Sequence, residues 1–147
     1  MDRDGAQRLI DNLVTAVVWM DDAGRIRAIN PAGEALLSLS ARQAVGLTLS
    51  DCLPAAGGLA TAIARALDTG EAVTEREFEL RVNGTAINVV DVAITPVNTP
   101  DGTREVIVEI SDRDRRHRIM REENMLAQNT VTAAMIRGMA HEIKNPL

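Results

Sequence analysis

A histidine close to the last residue of the chain stands among side chains that suit nucleophilic chemistry. His141 is followed directly by Glu142, whose carboxylate can hydrogen-bond one ring nitrogen, fix the tautomer and leave the other nitrogen as a nucleophile. Asn145 is four positions further on, so on a helix it lies one turn away on the same face. Pro146 removes a backbone donor and bends a helix just beyond the histidine. The pattern favours a reactive imidazole over an ordinary solvated one.

Zinc binding is the alternative interpretation of the same histidine, because His-Glu-x-x-His is a metalloprotease motif. Asn145 occupies the position of the second histidine in that motif, and His117 lies in an arginine-rich run instead. Two metal ligands are missing, so we expect no metal site.

The histidine lies within a predicted long helix, residues 112–147, whose pattern is typical of a coiled coil. His141 is one step past the seam residue Ala140, so its ring faces outward beside the helix contact. A single helix cannot bury such a stripe, so we expect a homodimer through the same helix of a second chain. Glu122 and Asn129 interrupt the seven-residue seam, which otherwise consists of Ile119, Leu126, Ala133, Ile136, Ala140, Ile143 and Leu147.

Shorter elements precede this helix. We expect an amphipathic helix within residues 1–13, a hairpin over 15–29 and a helix that Asn30 caps and that carries Ala35, Leu36 and Leu39 inward. Another helix over 59–67 ends at Gly70. Strands over 73–82, 86–94 and 106–110 follow, the first two joined by a tight turn at Asn83-Gly84. This order predicts an α+β domain, residues 14–111, with a five-stranded antiparallel sheet and short helices on one face.

Charge and composition exclude several classes of function. Residues 1–111 hold nine arginines against sixteen acids, whereas residues 112–147 hold seven basic residues against five acids, which indicates a domain boundary near Asp112. No apolar run is long enough to cross a membrane. The arginine-rich run at 112–118 contains aspartates and lacks stacking aromatics, so we expect no nucleic-acid partner. The single cysteine, Cys52, fits a reducing cytoplasm.

Residues 138–147 read GMAHEIKNPL, which resembles the phosphoacceptor box of sensor histidine kinases, most closely that of the nitrogen-regulation branch. The preceding part is similar to the PAS domain of those kinases in its leading helix to Leu13, its strand–turn–strand around residues 21–24 and its Ile29-Asn30-Pro31-Ala32 run. The resemblance spans essentially the whole chain. It implies a PAS fold followed by the start of the dimerisation and phosphotransfer helix.

The resemblance also implies roles for single residues. His141 would accept the γ-phosphoryl group of ATP, Glu142 would be the adjacent base or orienting group, and Asn145 would assist dephosphorylation of a response regulator. The full-length protein would be a cytoplasmic homodimer that uses ATP and Mg²⁺ and has the regulator of nitrogen genes and the PII signal protein as partners. Because the sequence reaches only Leu147, we expect this polypeptide by itself to be inactive, as an N-terminal piece of a longer protein.

The familiar PAS cofactors do not fit this composition. Residues 1–116 contain no histidine for a haem, Cys52 stands in Ser-Asp-Cys-Leu-Pro rather than in a flavin-adduct context, and tyrosine is absent. We expect no bound cofactor in this chain, Cys52 as packing rather than a reactive thiol, and Trp19 as packing rather than a ligand platform. Two alternatives to the kinase interpretation stay open: a non-catalytic PAS dimerisation scaffold, and a small-molecule-binding sensor module of another cytoplasmic histidine kinase.

Overall fold

The computed structural model describes residues 2–82 and 87–112. The predicted turn at Asn83-Gly84 and the predicted helix beyond Asp112, with His141, lie outside these ranges. No helix in the described part is long and apolar enough to cross a membrane. The helices are α1 (Arg3–Asp11), α2 (Pro31–Leu37), α3 (Ala41–Ala44), α4 (Leu49–Cys52) and α5 (Gly57–Thr69), and the strands are β1 (Ala16–Met20), β2 (Ile26–Ile29), β3 (Val73–Arg81), β4 (Ile87–Asn98) and β5 (Arg104–Asp112).

The strands form one antiparallel sheet in the order β2-β1-β5-β4-β3. The last strand, β5, is therefore central, and it joins the first hairpin to the later one. Its inward side chains Val106, Val108 and Ile110 pair with inward residues of both β1 and β4. The predicted five-stranded antiparallel sheet with short helices on one face is confirmed.

The core lies between the inner face of the sheet and the helices. Leu59, Ile63 and Ala66 on successive turns of α5 are almost completely buried, as is Leu37 of α2. Burying one such leucine or isoleucine contributes about 1.5–3 kcal/mol. The prediction for α2 was wrong in one respect: Ala35 is exposed and Leu37 is buried. The helix is only seven residues long, and its inward positions are Gly33 and Leu37, four apart.

Two helix ends follow the sequence prediction. The Asn30 side chain accepts a hydrogen bond from the Gly33 N–H at 2.9 Å, and Pro31 stands at the first position of α2. Gly70 ends α5 with a φ of 73°. Both termini are encoded locally, since each depends on the residue type at the cap.

The strands differ from the prediction in two places. A bulge interrupts β3 between Glu75 and Phe78, and Glu77 adopts a φ of 56° there. The Glu77 N–H donates to a carboxylate oxygen of Asp91 on β4 at 3.1 Å, so the bulge is held from the neighbouring strand. In addition, β4 is longer than predicted and continues through Pro96 to Asn98. The pairing of β4 with β3 ends at Ile94, and only β5 pairs with the extension, so Pro96 lies at an edge, where a strand tolerates proline.

Both edges of the sheet are protected. At the β2 edge, the Ile26 N–H donates to the Leu47 carbonyl oxygen and the Gly46 N–H donates to the Ile26 carbonyl oxygen, each at 2.8 Å. At the β3 edge, the bulge twists a strand whose exposed side chains are mostly charged. Bulges, charges and covering loops are the means by which proteins prevent edge-to-edge pairing.

Candidate functional site: a sensor cavity and its link to the last strand

The residues for which sequence predicts chemistry, His141, Glu142 and Asn145, lie outside the described residues, and their roles stay predictions. The described part of the chain instead offers a cavity, a polar cluster on the sheet, and a contact that ties α5 to β5.

A cavity of about 220 Å³ lies between one end of the sheet and the helices. Met20 of β1, Leu49 of α4 and Ile63 of α5 contribute its buried apolar surface, and the partly buried Leu67 also lines it. The exposed Ser50 stands at the rim, so the cavity opens to solvent. None of its ten lining residues is titratable. Such a lining suits a small, uncharged, mainly apolar molecule.

The rim of the cavity is fixed by two polar motifs. The Thr48 hydroxyl accepts from the Asp51 N–H at 3.2 Å, and the Asp51 carboxylate accepts from the Thr48 N–H, so α4 begins with a capping box. An Asp21 carboxylate oxygen accepts from the N–H groups of Ala23 and Arg25 and sets the β1–β2 turn, whose Ala23 and Gly24 also line the cavity. Hydrogen bonds within the chain therefore set both α4 and the β1–β2 turn, which contribute lining residues to the cavity.

Cys52, on α4, packs partly buried against the core, in agreement with the sequence prediction. Burial and the neighbouring Asp51 charge raise the pKa of its thiol. A raised pKa keeps the sulfur protonated and unreactive. Within the described ranges, no group of three or more His, Cys, Asp and Glu side chains is placed to hold a metal ion.

A polar cluster lies on the face of the sheet that points away from the helices. Trp19 is 39% exposed there rather than part of the core, and the Arg27 guanidinium lies 4.9 Å above the centre of its rings. The Trp19 indole N–H donates to one Glu105 carboxylate oxygen at 3.2 Å, and Arg27 donates to the other at 3.1 Å. Glu105 is thereby only 8% exposed. In the sequence, Glu105 and Glu109 alternate with Val106, Val108 and Ile110, which predicts a polar strand face and does not indicate that Glu105 is buried.

Arg104, the first residue of β5, holds the end of α5. Its guanidinium donates to the carbonyl oxygens of Leu67 at 2.8 Å and Asp68 at 3.2 Å. These are terminal helix carbonyls without an intrahelical partner, and a cation at this end also complements the helix dipole. Because Leu67 lines the cavity, one contact connects the cavity wall to the strand that ends at Asp112.

A family model described as PAS fold matches residues 10–118 of the chain. This range includes all five strands and every helix that lines the cavity.

Two curated relatives match almost the entire chain. The sensory histidine kinase/phosphatase NtrB of Vibrio alginolyticus is 33% identical over all 147 residues, and the protein of the same name from Escherichia coli O157:H7 is 29% identical over 142 residues. The chain spans 41% and 39% of the length of these two relatives, respectively.

A solved structure from a Vibrio species has the same fold. The crystal structure of the PAS domain of nitrogen regulation protein NR(II) from Vibrio parahaemolyticus superimposes with a TM-score of 0.60 and 26% sequence identity. The superposition covers 73% of this chain and 96% of that domain.

Proposed function

The chain belongs to the PAS fold family, and from that premise we propose that it is the sensory and dimerisation part of a two-component sensor histidine kinase that controls nitrogen assimilation. One observation carries the proposal: the similarity to NtrB of Vibrio alginolyticus continues past residue 118, where the PAS match ends, through the GMAHEIKNPL segment. A PAS domain that served an unrelated protein would share only the first part.

The proposed chemistry is phosphoryl transfer to His141. The free ring nitrogen of His141 attacks the γ-phosphorus of ATP, the bond from that phosphorus to the β–γ bridging oxygen breaks, and ADP leaves. Glu142 accepts a hydrogen bond from the other ring nitrogen, which orients the ring and stabilises its positive charge. Mg²⁺ bound in the full-length protein would supply positive charge to the phosphate oxygens. In the reverse function, Asn145 assists hydrolysis of the phosphorylated response regulator.

The proposed partners follow from the same relationship. The full-length protein is a cytoplasmic homodimer, joined through residues 112–147, that phosphorylates and dephosphorylates the response regulator of nitrogen genes and responds to the PII signal protein. Because the chain spans about 40% of the length of its relatives, ATP and Mg²⁺ are proposed to bind in the part of the full-length protein that lies outside these 147 residues.

The contacts of the described residues support a route for the signal. A change at the cavity moves α5, whose Ile63 and Leu67 line it. The Leu67 carbonyl oxygen is held by Arg104, so the displacement is transmitted to β5. That strand runs through the centre of the sheet to Asp112, where the predicted phosphotransfer helix begins. The proposed regulation is therefore mechanical and reaches His141 through the chain itself.

Radiolabel transfer from ATP tests the proposal in the full-length protein. His141→Gln should abolish incorporation of the labelled phosphoryl group, whereas the control His117→Gln, which changes the other histidine of the chain, should retain it. Asn145→Ala should retain autophosphorylation and slow dephosphorylation of the regulator. Undiminished labelling of His141→Gln would overturn the assignment.

The cavity favours a second candidate function, a sensor module for a small molecule, over a scaffold whose interior is filled. Ala60 lines the cavity, whereas Ala55 is exposed and does not. A library of small uncharged metabolites should therefore contain a compound that raises the melting temperature of the chain and of Ala55→Phe, but not of Ala60→Phe. Native mass spectrometry would detect the same compound bound. If no compound acts selectively, the scaffold is the better description.

A further inference from the structure

The cavity between α4, α5 and the β1–β2 turn has an apolar floor and an open rim. Met20, Leu49 and Ile63 form the floor, and each is at most 4% exposed. Ser50 and Ala64 also line the cavity but are exposed, so they lie at the rim. This gradient of exposure orients a bound molecule, because its apolar part gains most at the floor and a polar end keeps contact with water at the rim.

The rim offers one free hydroxyl group. Two of the ten lining residues, Thr48 and Ser50, carry a hydroxyl. The Thr48 hydroxyl belongs to the capping box, in which it accepts from the Asp51 N–H. The Ser50 hydroxyl makes no hydrogen bond to any other residue in the part of the chain that the structure describes. It can therefore donate to, or accept from, a molecule in the cavity.

Several backbone groups of the lining are bonded within the chain. The Ala23 N–H donates to the Asp21 carboxylate, and the Gly24 N–H donates to the Asp21 carbonyl oxygen, each at 3.0 Å. The Leu67 carbonyl oxygen accepts from Arg104 at 2.8 Å. These bonds hold the β1–β2 turn and the end of α5 in place. A ligand therefore does not have to order either wall, which would lower its affinity.

Volume and charge restrict the ligand further. An apolar cavity of about 150 Å³ binds benzene, and this cavity measures about 220 Å³. The space suits a six-membered carbon ring with about two further non-hydrogen atoms. Because no lining residue is charged, an ionic group would give up water without gaining an opposite charge. The ligand is thus small and neutral.

Building on the second candidate function above, a sensor module for a small molecule, we propose that the cavity binds a neutral molecule with an apolar ring and one terminal hydroxyl group, and that Ser50 selects this group by a hydrogen bond. One such bond at an exposed position raises the affinity about three- to tenfold. The cavity lies within residues 20–67, so the chain can be examined without ATP.

A pair of probes, benzyl alcohol and toluene, tests the role of Ser50. Both carry the same ring, and only benzyl alcohol has a hydroxyl. NMR titration of the chain, followed through the amide signals of the lining residues, gives the two dissociation constants. Ser50→Ala should weaken benzyl alcohol binding about three- to tenfold and leave toluene binding within about twofold. Ser40→Ala, at an exposed serine that does not line the cavity, should change neither.

Two further measurements locate the probes and define their class. Ala60→Phe should abolish the binding of both probes, because Ala60 lines the cavity. Benzoate, which has a carboxylate in place of the hydroxyl group, should bind the unmodified chain several-fold more weakly than benzyl alcohol. Equal affinities for these two compounds would contradict the neutral class.

The outcomes separate the ligand class from the sensor function. If Ser50→Ala weakens both probes equally, or neither, the inference is overturned, while the cavity keeps its proposed sensor function. Absence of binding of benzyl alcohol to the unmodified chain would also overturn the inference, and the metabolite library would then decide the sensor function by itself. Unchanged toluene binding by Ser50→Ala shows that this variant keeps the cavity intact.

Discussion

The side-chain amide of Asn30 donates to the carbonyl oxygen of Ile10 at 3.1 Å, across twenty positions of the chain. The same amide donates to Thr15, while its oxygen accepts from the N–H groups of Val17 and Gly33. A single buried side chain thus joins α1, β1 and α2, with all of these polar groups satisfied.

Asn30→Asp is expected to destabilise the domain. A carboxylate can still accept from Val17 and Gly33, but it cannot donate to the two carbonyl oxygens, and it is buried. Asn30 is only 2% exposed, so the variant buries a carboxylate that has lost both donated hydrogen bonds. A buried polar group without its partners costs about 1–3 kcal/mol, so the urea midpoint should fall clearly. Asn98→Asp, at an exposed site, should unfold within about 0.5 kcal/mol of the unmodified chain. Equal urea midpoints for the two variants would show that the hydrogen bonds of the Asn30 side chain do not stabilise the packing of α1, β1 and α2.

Gly70→Ala is expected to destabilise the end of α5 for two separable reasons. The residue has a φ of 73°, and an added Cβ would lie 2.7 Å from the guanidinium carbon of Arg104. Gly46→Ala is the matched control, because Gly46 has a φ of 91° with nothing within 4 Å.

Thermal unfolding should show a loss of about 1 kcal/mol for Gly46→Ala, from backbone strain alone, and a larger loss for Gly70→Ala. Combining Gly70→Ala with Arg104→Ala should remove the steric part, so the two changes should not be additive. Strict additivity would mean that the guanidinium simply moves away.

Removing one member of the Arg27–Glu105 pair is expected to lower the free energy of unfolding more than replacing both members. Arg27 is half exposed, so the ion pair itself contributes at most about 1 kcal/mol. Arg27→Met leaves the buried Glu105 carboxylate without its cation, which should lower the free energy of unfolding more than Arg27→Met combined with Glu105→Gln. Denaturant unfolding followed by Trp19 fluorescence measures both. A double variant less stable than the single one would contradict this account.

The capping box at α4 is expected to lower the pKa of Asp51. Hydrogen bonds from the Thr48 side chain and then from its backbone hold the pKa of Asp51 below the usual aspartate value. Since the folded pKa is lower than the unfolded one, the ionised carboxylate stabilises the fold at neutral pH, and this contribution is lost as the pH falls through the lowered value.

Thr48→Ala should therefore raise the pKa of Asp51 toward its ordinary value, measured by carboxyl chemical shifts. Asp101 is the internal control, because Thr99 and Thr103 lower its pKa and neither contacts α4. The prediction fails if Asp51 titrates at the same pH with and without the Thr48 hydroxyl.

Local signals in the sequence predicted local structure well. Asn30-Pro31 marked the start of α2, Gly70 marked the end of α5, and the alternation around Val106–Ile110 identified the inner face of β5. Each of these features depends on a few consecutive residues. The sequence therefore predicts the secondary-structure elements and the sheet that they form.

Features that depend on distant partners could not be predicted in the same way. The burial of Glu105 requires Trp19 and Arg27, which are 86 and 78 positions away, and the bulge at Glu77 requires Asp91 on the next strand. The cavity is a space left between elements and has no residue pattern of its own. His141 was identified by its motif, and its role stays a prediction.

The two protected edges of the sheet limit how copies of this chain can meet. The Ile26 backbone N–H and carbonyl oxygen at the β2 edge are already bonded to residues 46 and 47, and the bulge at Glu77 disturbs the regular spacing along β3. A strand from another molecule therefore finds no template for growth, and fibre-like polymerisation is suppressed even where chains are crowded together.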